Sequence, residues 1–182
     1  MRERSGQRGI TPLEVLVLLT IAGGLLAVVV PAFRCHCGRS RVSEAAQNVG
    51  SLYRGAVAYY ETEHRFHSTR TQETIPNQFP DSVGPTPALR LVTATRGRRF
   101  VGAPGEWDAP SWQALSFAIS DPRHYAYEFV STGTGNSAAF TARARGDLDA
   151  DGVFSTFERA GSVDAHGSVK GSSGLYIDQE LE

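Results

Sequence analysis

Cysteine is nearly absent: Cys35 and Cys37 are the two in 182 residues, so the chain beyond them holds no pair from which an internal disulfide could form. Positive charge is not in excess either, since Lys+Arg 18 against Asp+Glu 19 leave a formal net charge of -1, and this balance gives no pointer to nucleic acid. The nucleophile and zinc-hydrolase patterns GxSxG and HExxH are missing. Five histidines, His36, His64, His67, His124 and His166, are scattered with no nucleophile motif around them and read as surface or loop residues. No internal repeat is evident. Long hydrophobic runs are missing from all but one place, near the N-terminus. What remains, at 41% hydrophobic residues, suits one globular domain with an appendage.

The appendage is the run from Ile10 to Phe33, within QRGITPLEVLVLLTIAGGLLAVVVPAF. A helix needs about 20 apolar residues to cross the hydrocarbon core, and this run supplies them. A secretory signal would order a basic region, a shorter apolar core and then a small-residue cleavage site. Here the small residue, Gly9, precedes the apolar run, and Val28–Val29–Val30–Pro31 at the far end offers no such site. Arg2, Arg4 and Arg8 against Glu3 hold the N-terminus in the cytoplasm and send the chain beyond Phe33 to the outer face. Glu14 is the one formal charge in the run. A carboxylate deep in the bilayer costs about 2.5 to 3.5 kcal/mol on insertion scales, so it calls for a positive partner or an interfacial position. An ordinary signal anchor with a tolerated interfacial glutamate is the plain alternative.

Gly9, apolar Ile10, Thr11, Glu14 as the fifth residue after the glycine, and Pro31 in the following uncharged helix resemble the type IV prepilins and the pseudopilins of type II secretion. Pro12 departs from the leucine usual there, but proline in a first helical turn gives up an N–H that has no intrahelical partner. The resemblance implies a cut after Gly9 by a prepilin peptidase, methylation of the new N-terminus at Ile10, and a filament in which Glu14 pairs with the ammonium of a neighbouring subunit. It implies a subunit of a type IV pilus-like filament or, as the alternative, a pseudopilin of a periplasmic secretion pseudopilus. An exported, membrane-anchored enzyme or binding module is a further class, and no catalytic site supports it. The expected location is the inner membrane, single-pass, with the C-terminal domain periplasmic.

Residues 34–63 turn amphipathic, with Val42, Ala45, Ala46, Val49, Leu52, Ala56, Tyr59 and Tyr60 at helical spacing, and read as a continuation of the same helix. Two helices hinged near Cys37 to Ser40 are the other reading. From His64 to about Arg99 the Thr, Pro, Gly and Ser content predicts loop. Strands are expected at Ser111 to Ile119, Tyr125 to Ser131, Ala138 to Arg145 and Val153 to Gly161, the first of which equally fits a short helix. The fold class is α+β: a long N-terminal helix, half of it in the membrane, packed on a small antiparallel sheet as in pilins. The organisation is a leader (1–9), a transmembrane and assembly segment (10–33), the amphipathic continuation (34–63) and a globular sheet domain (64–182). The arginines of Arg96 to Arg99 read as a solvated loop.

Cys35 and Cys37 sit about 200° apart on a helix, so one ion cannot bridge them and they cannot bond to each other. Free thiols or a link to another subunit remain. DLDADGVFSTFE, Asp147 to Glu158, matches an EF-hand loop by position. Asp147, Asp149 and Asp151 alternate, Gly152 makes the turn, the Val153 carbonyl and Ser155 follow, and Glu158 closes the pattern. One Ca²⁺ is therefore expected. FTARAR before the motif alternates like a strand, so the loop joins two strands rather than two helices. Similar acidic loops occur near the C-terminus of pilin-like proteins. A solvated acidic turn is the competing reading.

Overall fold

The structure, a computed structural model, describes residues 11–70, 77–172 and 174–179, with the backbone alone for 30–40 and 63–70. The leader, Gly9 and Ile10 lie outside the described residues, as do the side chains of Pro31, Cys35, His36, Cys37, His64 and His67.

Helix α1 runs over Pro12–Arg70, further into the Thr- and Pro-rich region than composition predicts. Two units divide at Ser40 and Arg41. In the first, Pro12–Val29 is apolar and long enough to cross a membrane, and its large side chains, Leu13, Leu16, Leu19 and Leu25 among them, are exposed.

In the second unit, α1 presents Ala45, Val49, Leu52, Ala56 and Tyr60, all buried, at steps of three and four residues, which is one helical face. That face lies on an antiparallel sheet of β1 (Val83–Thr86), β2 (Ala126–Thr132), β3 (Ala139–Gly146) and β4 (Ser155–Val163), in that order. Strands β5 (Val169–Gly171) and β6 (Tyr176–Asp178) both pair with β4, β5 along Gly161–Val163 and β6 along Thr156–Glu158. The fold is thus the expected α+β arrangement.

Strand β3 shows why the helix can approach. Phe140, Ala142, Ala144 and Gly146 point inward and are buried, while Thr141, Arg143 and Arg145 point out. The small residues leave room for rings: Tyr53, Phe79 and Phe129 surround Phe140, and Trp107, Trp112, Phe117 and Tyr127 form a second group with centroids 5.2 to 6.4 Å apart. Each such ring, fully buried, contributes about 1.5 to 3 kcal/mol by transfer from water.

Two expectations change. The Ser111 to Ile119 segment is not a strand; it contains helix α3 (Pro110–Ala114), the alternative that its Trp112 and Leu115 also fit. Pro110 in the first helical turn supplies the preset φ that starts it. The 64–99 segment is not loop throughout, since it carries the end of α1, β1 and helix α2 (Leu89–Ala94). Val92 of α2 is fully buried, and that anchor outweighs the surrounding turn-forming composition.

Candidate functional site

At the start of α1, Thr11 is the residue before the first helical position, and three hydrogen bonds tie it to Glu14. The Thr11 backbone N–H and hydroxyl donate to Glu14 Oε2 at 3.0 and 3.1 Å, and the Glu14 N–H donates to the Thr11 hydroxyl oxygen at 3.2 Å. This is a capping box, which satisfies two N–H groups that have no intrahelical acceptor. The signal for it, Thr-x-x-Glu, stands in the sequence. Glu14 is therefore held at the helix terminus, where the helix dipole favours a negative charge.

The second site lies between β3 and β4. Asp147, Asp149 and Asp151 each bring a carboxylate oxygen within 4.8 Å of the others. Each also accepts a backbone N–H: Ala150 to Asp147 Oδ1 at 2.8 Å, Asp151 to Asp149 Oδ1 at 3.3 Å and Val153 to Asp151 Oδ1 at 2.7 Å. Ala150 (φ 70) and Gly152 (φ 90) take left-handed conformations, which lets the chain reverse tightly enough to converge the carboxylates. Asp149 and Asp151 are exposed, whereas Asp147 is 1% exposed.

Asp147 decides what this cluster can do. Its Oδ2 is buried and has no hydrogen-bond partner among the described residues. A buried carboxylate oxygen without a partner costs several kcal/mol unless a cation or hydrogen bond compensates it. Three hard oxygen donors, one from each aspartate, fit Ca²⁺, which takes six to eight oxygens and accepts carbonyls and water for the rest.

The remaining expected ligands are placed differently. Ser155 is fully buried and its hydroxyl donates to the Gly146 carbonyl at 3.0 Å, closing the base of the hairpin. Val153 holds Asp151 through its N–H. Glu158 is not brought to the aspartates: it lies within β4, opposite Arg143 of β3, and pairs with that guanidinium. In an EF-hand the segment after the loop coils into a helix and brings the twelfth residue back. Here it extends at about 3.3 Å per residue, which sets Glu158 about 10 Å beyond Ser155.

Glu158 belongs instead to a charge ladder on the outer face of the sheet. Arg143 also reaches Glu128 of β2 at 3.1 Å, and Arg145 pairs with the same Glu128. Burial alone would lower the Arg143 pKa, but its hydrogen bonds and attraction to Glu158 and then Glu128 outweigh this and raise it.

His124 corrects the surface reading of the histidines. It is 6% exposed, with its N–H donating to Glu44 Oε1 at 3.0 Å and its Nδ1 3.1 Å from Glu44 Oε2. Next to it, Asn48 donates to the Tyr127 hydroxyl at 2.7 Å, and burial together with Glu44 pushes the Tyr127 pKa up. These contacts bind α1 to β2 and to the segment just before it. His166 is exposed in the turn before β5, and Arg96, Arg98 and Arg99 are exposed after α2.

Over 133 residues the chain is 26% identical to the type II secretion system core protein G of Escherichia coli K12, across 73% of this chain and 86% of that one. The chain is similar to a pseudopilin. No family model and no solved structure matches it. The pseudopilin likeness agrees with the apolar N-terminal helix and with the helix-on-sheet architecture.

Proposed function

We propose that the protein is a structural subunit of a pseudopilin-type filament, anchored in the inner membrane by α1 before assembly. The observation that carries this reading is the similarity to a secretion-system core protein over most of both chains, which favours the secretion pseudopilus over the type IV pilus that the N-terminal motif equally fits. Prepilin peptidase cuts after Gly9 and the sheet domain faces the periplasm, the arginines of the leader holding the N-terminus inside. The exposed apolar stripe of Pro12–Val29 then meets lipid first and neighbouring helices later.

In this reading Glu14 changes partner. Cleavage leaves the ammonium of Ile10 one residue from Thr11, and in a filament the carboxylate that caps its own helix meets the ammonium of the next subunit. Such a pair in an apolar bundle sets axial register, because an uncompensated charge there is strongly unfavourable. Calcium is held by Asp147, Asp149 and Asp151, completed by the Val153 carbonyl and water, and it locks the β3–β4 hairpin after export. Calcium neutralises the aspartates there and, by cancelling their repulsion, keeps the hairpin closed.

The test is assembly. With the other subunits and the peptidase co-expressed, the wild-type chain should appear in sheared or pelleted filaments. Glu14→Leu should remain membrane-anchored and fall at least tenfold in that fraction. Wild-type protein absent from every filament fraction would remove the reading.

A further inference from the structure

We infer that Gly97, in the turn after α2, is a positioning residue for the cation site, holding the aspartate loop from outside through Leu148. This rests on the calcium reading above. A Cβ at Gly97 would stand 2.1 Å from the Leu148 carbonyl oxygen and 2.8 Å from its carbon. Both are backbone atoms, which have no rotamer by which to step aside. The glycine hydrogen therefore faces the carbonyl, the arrangement of a weak Cα–H···O contact. Arg41 of α1 approaches the same oxygen, its Nη1 at 3.5 Å.

Leu148 stands between Asp147 and Asp149, two of the three converging carboxylates. Its side chain is in the core at 8% exposure, so its backbone is held from within by packing and from without by the turn. The turn is itself fixed. Thr95 donates its N–H and hydroxyl to the Val92 carbonyl at 3.0 and 2.7 Å, Arg96 donates to Thr93 at 3.1 Å, and Arg98 donates to Thr95 at 3.2 Å. Val92 is fully buried, and two residues beyond Arg98, Phe100 and Arg123 exchange backbone hydrogen bonds at 2.9 and 3.0 Å. Neither wall can retreat without breaking these contacts. A side chain at Gly97 must push Leu148, and with it the Asp147 and Asp149 oxygens that now lie within 4.8 Å of each other and of Asp151.

Gly97 also has φ +69, so any substitution carries conformational strain as well as the collision. Gly167 separates the two, since it has φ +79 and nothing within 4 Å of the position a Cβ would take. Calcium affinity of the full chain in detergent, titrated calorimetrically, is compared for wild type, Gly97→Ala and Gly167→Ala, with melting in chelator recorded for each. Loss of a group that orients metal ligands typically costs about 10- to 100-fold in affinity. That loss is expected for Gly97→Ala, with Gly167→Ala retaining the wild-type Kd even where its chelator melt falls. A wild-type Kd in Gly97→Ala overturns the inference while leaving the cation site standing. A wild-type chain that binds no calcium removes the cation site and this inference together. If Gly97→Ala does not fold, hydrogen exchange of the wild-type chain decides: calcium should slow the Arg96 and Arg98 amides more than the Gly167 amide, and equal slowing refutes the coupling.

Discussion

Removing the charge of Asp147 tests the cation site at its most specific atom. Asp147→Asn keeps the size and leaves a carbonyl oxygen able to accept the Ala150 N–H, but it takes away the carboxylate whose Oδ2 is buried without a partner. Two opposed effects follow. Without calcium the variant is relieved of repulsion among three carboxylates within 4.8 Å and of an uncompensated buried charge, so it should be no less stable than wild type. With calcium it should gain little. For wild type, calcium at a hundredfold excess over Kd stabilises the folded state by about 2.7 kcal/mol, which for a chain of this size raises Tm by about 5 to 10 °C. Extracellular calcium modules have Kd on the order of 10⁻⁴ to 10⁻³ M, so the titration must extend to tens of millimolar. Circular dichroism melts of both full-length chains in detergent, in calcium and in chelator, give the four temperatures needed. The wild-type pair should separate and the Asp147→Asn pair should superimpose. Superimposable wild-type melts, with no heat on adding calcium, would reduce the loop to an acidic turn.

Glu158→Gln should leave calcium affinity unchanged within a factor of about two while costing about 0.2 to 1 kcal/mol of stability through the lost cross-strand pair with Arg143, read from denaturant midpoints; a tenfold fall in affinity would return Glu158 to the ligand set. Asp164 is held at a pKa of about 2, first by the Ser168 N–H and then by Lys170 and the His166 N–H. Its folded pKa lies below the unfolded value near 3.9, so its contribution is full above pH 4 and disappears as pH falls through 2. The denaturant-midpoint gap between wild type and Asp164→Asn should therefore shrink between pH 5 and pH 2, and a constant gap would contradict the assignment.

Legibility followed the length and regularity of each pattern. The helical face from Ala45 to Tyr60 spans several turns, and β2 to β4 alternate over seven to nine residues, so their periods identify them. Strands β5 and β6 have three residues each, VKG and YID, too few to display a period; their pairing with β4 alone makes them strands. Trp112 and Leu115 fit a helix and a strand alike, and the packing around Trp107 settles the matter. In the aspartate loop, alternate spacing was enough to find Asp147, Asp149 and Asp151. A ligand role for Glu158 requires a helix after the loop, and the strand that follows instead carries it away. Contacts across the fold left no local trace: nothing near Gly97 points to Leu148, and nothing near His124 points to Glu44. By contrast Thr11 and Glu14 are three residues apart, and their capping box was there to be read.

The central claim, a prepilin-processed filament subunit, is tested most directly by the intact mass of the chain extracted from membranes of cells that carry the prepilin peptidase. The mass should correspond to a chain beginning at Ile10, with one added methyl group at its N-terminus, and should revert to the full chain when the peptidase is deleted. A mature protein that retains Met1 in the presence of the peptidase, or that begins beyond Pro31, would contradict the account.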